Sequence, residues 1–188
     1  MHSLDGAMLH EFPIERDLAM AVVDYARERN HVYEWFNPLR YIASRETPAT
    51  TEYGHVSGIT PEYMDRPETA GVRPTGVGVI SSPGEASTIH RELVARHSQE
   101  LHLLDFPGVT VGVGLDANKG HALSLLCRDF GIERDEVAAI GDSVNDAPML
   151  SWAGRGYALA HSDRYALDAA DEVLPDGELD PALHRLDA

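Results

Sequence analysis

A short apolar run, Val137 to Ile140, leads directly into Gly141-Asp142 and constrains the fold more than any other feature of the chain. A run that is apolar at every position is typical of a parallel strand buried on both faces. The elements predicted around it are helices over Lys119–Phe130, Asn145–Trp152 and Asp163–Ala169 and strands over Gly156–Ala160 and Glu172–Leu174. Helices and strands alternate, so this part of the chain is predicted to be half of a doubly wound α/β sheet.

The residues before Leu115 follow a different pattern, in which strands come in adjacent pairs. The helices predicted there are Ile14–Arg29 and one that opens at Ser81-Ser82-Pro83, with a serine cap, and runs to about His97; the strands are His31–Phe36, Leu39–Ala43, Val77–Ile80, Leu101–Leu104 and Val109–Val113. A short helix and a long loop are predicted between Pro48 and Pro74. We therefore expect an α+β domain with an antiparallel sheet over 1–112 and the α/β domain over 113–188, where Pro175–Ala188 is a turn and a short helix.

The charge balance excludes several kinds of partner. The chain has 188 residues, with 31 acidic and 15 basic side chains and a formal charge of −16. So acidic a surface argues against nucleic acid and anionic membranes as partners. No apolar run approaches the ~20 residues that span a bilayer. Cys127 is the only cysteine, so an intrachain disulfide is excluded and a cytoplasmic location is expected.

The residues that carry chemistry follow the buried strand. Ligands bind at the carboxyl ends of the strands in such sheets. Asp142 stands at that end, and Asn145 and Asp146 are predicted to open the next helix, where free N–H groups favour anions. Two carboxylates and an amide suit Mg²⁺, a hard cation that prefers oxygen ligands. Lys119, at the start of the preceding helix, can neutralise a phosphate over the same strand ends.

Ordinary structural roles explain the same residues about as well when each is taken alone. Aspartate and asparagine are common at helix caps and turns, and a lysine at a helix start is most often a solvated surface residue. The context of several such residues in order favours the chemical interpretation.

The motifs together resemble the haloacid dehalogenase (HAD) superfamily, and within it the Cof-type phosphatases with a large α+β cap of type IIB. The stretches that carry the resemblance are Lys119-Gly120-His121-Ala122-Leu123, Gly131-Ile132, Glu136 to Leu150 with its Ile140-Gly141-Asp142-Ser143-Val144-Asn145-Asp146 core, Tyr157 to Ala160 and Ala169 to Leu174. More loosely, Ile14 to Arg29 and Phe106 to Val111 resemble the first helix and last hairpin of the cap.

The resemblance implies a partial Rossmann-like HAD core behind an α+β cap, and Mg²⁺-dependent hydrolysis of a small phosphorylated metabolite such as a sugar phosphate. By the same resemblance Lys119 and Asn145 bind the phosphate, Asp142 and Asp146 bind the metal, and all four are catalytic. In that family an Asp-x-Asp motif near the N-terminus supplies the nucleophile and the general acid and base. A second motif supplies a serine or threonine.

Neither of these two motifs is found in the chain. Ser3-Leu4-Asp5-Gly6-Ala7 is the nearest candidate, but no buried strand precedes it, and it better resembles the junction by which the family enters the cap, here 1–8. On this interpretation roughly 80 residues of family sequence lie upstream, a length judged from typical βα units. The chain alone is then predicted to be inactive.

In the family, the strand that carries the nucleophile would lie beside 137–140. Without that strand, 137–140 becomes an exposed edge, open to self-association or to a complementary chain. Two alternatives to an intact phosphatase therefore stay open. One is a non-catalytic phosphate- and metal-binding or regulatory protein, and the other is a half-enzyme completed by another chain.

Overall fold

The computed structural model describes Met1 and residues 5–175, and these residues form two compact units, Met1–Asp116 and Ala117–Ala188 as far as it is described. The turn and short helix predicted for Pro175–Ala188 lie outside the described residues from 176 onward, and so do Ser3 and Leu4 of the candidate junction. Among the helices that are described, none is both long and apolar enough to cross a bilayer.

The first unit is a six-stranded sheet with three α-helices. Its elements are α1 (Arg16–Glu28), β1 (Val32–Asn37), β2 (Arg40–Ala43), α2 (Pro48–Ser57), β3 (Glu62–Tyr63), a 3₁₀ turn (Pro67–Thr69), β4 (Gly76–Ile80), α3 (Pro83–His97), β5 (Leu101–Phe106) and β6 (Val109–Gly114). The strand order is β3-β2-β1-β4-β6-β5. Neighbouring strands are antiparallel except β2 and β3, which pair in parallel.

The larger core of the first unit lies on one face of this sheet. Alternate side chains of each strand point to that face. Its buried members come from both helices and strands and include Ala19, Val22, Val23 and Ala26 of α1, Trp35, Val77 and Val79 of the sheet, and Ile89 and Leu93 of α3. The Trp35 indole N–H donates to the carbonyl of Val72 over 2.9 Å, which satisfies its only polar atom.

The other face of the sheet carries a buried carboxylate. Glu34 of β1 is fully buried opposite Gly78 of β4, and the Tyr41 hydroxyl donates to its Oε2. A Cβ on Gly78 would lie 2.4 Å from Glu34 Oε1, so only glycine leaves room for the carboxylate. Burial raises the pKa of Glu34 to about 7, against the lowering effect of the Tyr41 hydrogen bond.

Two local predictions for the first unit need correction. The sequence predicts a short helix and a long loop over 48–74, but this segment also forms β3. With two residues, β3 is too short to show an alternating pattern. The serine before α3 does not cap the helix: the Ser82 hydroxyl donates to the Glu85 carboxylate over 2.6 Å instead of accepting from a backbone N–H.

Up to residue 175, the second unit is a three-stranded parallel sheet flanked by helices. Its elements are α4 (Lys119–Phe130), a 3₁₀ turn (Arg134–Glu136), β7 (Ala138–Gly141), α5 (Ala147–Trp152), β8 (Arg155–Leu159), α6 (Arg164–Ala169) and β9 (Glu172–Leu174). The strand order is β7-β8-β9, with both pairs parallel. This confirms the predicted mixed α/β fold class.

Helix α4 begins and ends where the sequence indicates. Asn118 accepts from the His121 N–H over 2.9 Å at its start, and Gly131 ends it with φ 68°, in the left-handed region that favours glycine. Gly120 lets α4 approach α5, because a Cβ there would lie 2.3 Å from the Pro148 carbonyl oxygen. The start of α4 is therefore held against the start of α5.

Strand β7 is the edge of the described sheet. Within residues 5–175 it pairs only with β8; Ala138 is exposed and Ile140 is half-buried. The leucines of α4 nearby, Leu123 and Leu126, are also only half-buried. A sequence pattern typical of a strand buried on both faces thus stands at an open edge.

Candidate active site

The four predicted site residues all lie where β7 ends and α4 begins. Lys119 is the first residue of α4, Asp142 follows the last residue of β7, and Asn145 and Asp146 belong to the turn before α5. The turn that carries Asp142, Asn145 and Asp146 is tight at Gly141, where a Cβ would lie 2.3 Å from the Asp146 Cβ. The chain can therefore fold back on itself at this point only because residue 141 is glycine.

Asp146 supports the turn with both carboxylate oxygens. Its Oδ1 pairs with the Lys119 ammonium group. Its Oδ2 accepts from the backbone N–H groups of Asp142 (3.1 Å) and Ser143 (3.2 Å) and from the Ser143 hydroxyl (3.1 Å). Burial alone would raise the pKa of Asp146, but the hydrogen bonds from Lys119 and Asp142 and the lysine charge outweigh it and hold that pKa below its usual value.

The helix that follows this turn starts later than predicted, and the N–H groups at its start are already engaged. Helix α5 begins at Ala147, two residues later than predicted, and has only six residues. The N–H groups of Asp146 and Ala147 both donate to the Ser143 carbonyl, and Pro148 has no N–H group. The first residues of α5 therefore offer no free N–H group to a phosphate.

Asp142 and Asn145 offer the oxygens that remain. The Asp142 side chain is exposed, and Asn145 Oδ1 is buried without a hydrogen-bond partner. An orphaned buried acceptor is costly unless something satisfies it. A carboxylate and an amide oxygen fit a divalent cation that keeps most of its waters, as Mg²⁺ does. Among the described residues, no group of three or more His, Cys, Asp or Glu side chains is placed to bind a metal.

Two residues after β8 fasten this loop and were not singled out from the sequence. The Asp163 N–H donates to the Asp142 carbonyl over 2.9 Å, and Asp163 Oδ2 accepts from the Val144 N–H over 2.7 Å. The Ser162 hydroxyl contacts the Gly141 carbonyl at 3.4 Å. The only sequence signal was the position of Ser162 and Asp163 after a neighbouring parallel strand, whose end must lie at the same edge of the sheet.

Comparisons with known proteins define the class of protein to which this fold belongs. A haloacid dehalogenase-like hydrolase from B. subtilis superposes with a TM-score of 0.80 at 20% identity, covering 99% of this chain and 75% of that one. A HAD subclass IIB sugar phosphatase superposes with a TM-score of 0.77 at 13% identity, covering 95% and 69%. At these identities the matches establish the fold, which is that of the HAD-type hydrolases.

The family follows from the sequence. The profile of the haloacid dehalogenase-like hydrolases matches residues 2–184, and the chain belongs to that family. It is 24% identical over 163 residues to the HMP-PP phosphatase of Escherichia coli (strain 55989 / EAEC). That alignment covers 86% of this chain and 60% of the relative, so the chain spans less than two thirds of that enzyme's length.

Proposed function

We propose that this chain carries the metal- and phosphate-binding half of a Mg²⁺-dependent phosphatase that acts on a small phosphomonoester, such as a sugar phosphate. The observation that carries the proposal is the orphaned Asn145 Oδ1 beside the exposed Asp142, at the end of a parallel strand and close to the Lys119–Asp146 pair. The family membership and its phosphatase relatives support the reaction class.

The four residues have different parts in this proposal, and Asn145 has two. Asp142 and Asn145 hold Mg²⁺, and Lys119 neutralises the phosphate while Asn145 positions it. Asp146, whose oxygens are already engaged, keeps the lysine and the turn in place and contacts the metal only if the Lys119 pair opens. When bound, Mg²⁺ offsets the negative charge that develops on the transferring phosphoryl group.

The nucleophile must come from outside these residues, since no Asp-x-Asp pair occurs in the 188-residue sequence. The open edge of β7 supports this proposal. A strand added in parallel there would end beside Asp142, because parallel strands share the direction of their carboxyl ends. We therefore propose a complementary polypeptide segment as partner and expect the isolated chain to bind without turnover.

The test measures binding and turnover separately. Mg²⁺-dependent binding of inorganic phosphate is followed by calorimetry and amide NMR, and hydrolysis of an aryl phosphate and a panel of sugar phosphates is assayed alongside. We expect binding that is lost in Asp142→Asn and kept in Asp168→Asn, an exposed control on α6. Turnover should appear only when a segment that carries Asp-x-Asp is added.

Each other outcome of this test would point to a different property of the chain. Turnover by the isolated chain that is lost in Asp142→Asn would show that the chain contains its own nucleophile. Binding that never leads to turnover, even with the added segment, would favour a non-catalytic binding protein. Absence of any Mg²⁺-linked binding would overturn the proposal.

A further inference from the structure

The two oxygens of the Asp163 carboxylate have different tasks. Oδ1 accepts from the backbone N–H groups of Tyr165 (2.9 Å) and Ala166 (3.0 Å), which caps α6. Oδ2 accepts from the N–H of Val144, in the turn that follows β7. One oxygen therefore serves the fold of the next helix, and the other serves the loop of the proposed site.

The cap by itself does not need a carboxylate. Asparagine and serine cap helices about as well as aspartate, because a single side-chain oxygen is enough. The second oxygen of Asp163 contributes only to the loop, where its bond to Val144 joins the bond from its own N–H to the Asp142 carbonyl. These two bonds hold the loop on both sides of Ser143.

The position of these two hydrogen bonds matters for metal binding. They fix the backbone between Asp142 and Asn145, the two residues that offer a free carboxylate and an orphaned amide oxygen. A loop that already holds one conformation loses less conformational entropy when two of its residues bind the same ion. Asp146 fixes the loop from within through its own Oδ2, and Asp163 fixes it from the segment between β8 and α6.

We infer that Asp163 is a positioning residue of the site: it holds the loop from which Asp142 and Asn145 would bind one Mg²⁺ ion. This inference rests on the proposed function. Asp163 itself touches neither substrate nor metal. Its effect on metal binding is assigned to one oxygen, Oδ2, of an exposed side chain.

Asp163→Asn separates the two tasks. Its remaining oxygen can still cap α6, but its NH₂ group cannot accept from the Val144 N–H. Asp168→Asn on the same helix removes the same charge and serves as the matched control, since its side chain is exposed. Asp163→Ala, which removes the cap as well, shows what a purely structural loss does.

The measurement is a Mg²⁺ titration of the isotope-labelled 188-residue chain, followed by the amide signals of Asp142 and Ser143, with hydrogen exchange and thermal unfolding recorded in parallel. For Asp163→Asn we expect Mg²⁺ affinity to fall roughly 10-fold or more, as loss of an outer-shell partner does in metal sites. Exchange at Val144 should accelerate, while exchange at Tyr165 and Ala166 and the Tm stay as in the wild type.

The outcomes separate this inference from the function on which it rests. Unchanged Mg²⁺ affinity in Asp163→Asn overturns it, and so does a loss that Asp168→Asn shares. A loss accompanied by equal acceleration at Tyr165 and Ala166 assigns Asp163 to the helix alone and also overturns it. Failure of the proposed metal site is recognised differently, by a wild-type chain whose Asp142 signals do not respond to Mg²⁺.

Discussion

Lys119 and Asp146 form an ion pair that joins the first residue of α4 to the turn after β7, across 27 positions of sequence. The lysine side chain is 55% exposed and the aspartate side chain only 7%. The buried partner is thus tied into the fold while the ammonium group keeps access to solvent. This arrangement orients a positive charge at the strand end and leaves the ammonium group accessible to an anion.

Asp146→Asn should lower the free energy of unfolding of the second unit by about 1–3 kcal/mol at pH 7, the usual cost of a lost buried partner. The pKa of Asp146 is depressed, so its contribution is present above its ordinary pKa of 3.8 and is lost as the pH falls through the folded-state value. The difference between variant and wild type should therefore shrink in acid. Urea unfolding followed by the amide signals of β7 and β8 measures it, with Asp168→Asn as control; a difference independent of pH would contradict the ion-pair argument.

Gly141→Ala should disrupt the same turn by overpacking. The new methyl group would lie 2.3 Å from the Asp146 Cβ, so either the turn or the carboxylate must move, at a cost of about 1–3 kcal/mol. Gly84→Ala in α3 is the control, since nothing lies within 4 Å of its Cβ position. Chemical denaturation should show a loss only for Gly141→Ala. Equal stability of the two variants would mean that the turn is looser than the structure shows.

Glu34 gives the first unit a pH dependence of opposite sign. Its pKa is about 7 in the folded chain and has an ordinary value of 4.5, so the native state keeps a proton that the unfolded chain releases. The stabilising contribution of the protonated Glu34 is therefore complete below pH 4.5 and is lost as the pH rises through about 7, by a total on the order of 3 kcal/mol. Glu34→Gln should remove most of this slope and be the more stable protein at pH 8.

Trp35 lies next to Glu34 in β1 and reports the unfolding of that sheet by fluorescence. A Trp152→Phe background removes the signal of the second unit. Glu46→Gln, at an exposed position, is the matched control and should keep the wild-type slope. A Glu34→Gln variant with an unchanged slope would show that the carboxylate ionises in the native sheet without penalty.

The sequence predicted the parts of the fold that depend on local pattern. Helix α4 has the predicted bounds because Asn118 and Gly131 are strong start and stop signals. The Asp163–Val144 bond could not be predicted, because an aspartate before a helix has the same local pattern whether or not its second oxygen reaches another loop. The burial of Glu34 depends on the absence of a side chain at Gly78, its partner on β4, which only the strand register reveals.

The exposed edge of β7 yields the last prediction. An apolar strand with unpaired backbone groups tends to pair with another chain, and a charged side chain on the edge opposes this. Ala138 is exposed on β7, so Ala138→Lys should weaken self-association of the isolated chain, while Ala95→Lys at an exposed position of α3 should not. Sedimentation velocity over a wide range of concentration measures the effect. A wild-type chain that stays monomeric throughout, or two lysine variants that behave alike, would show that β7 is not the surface through which the chains associate.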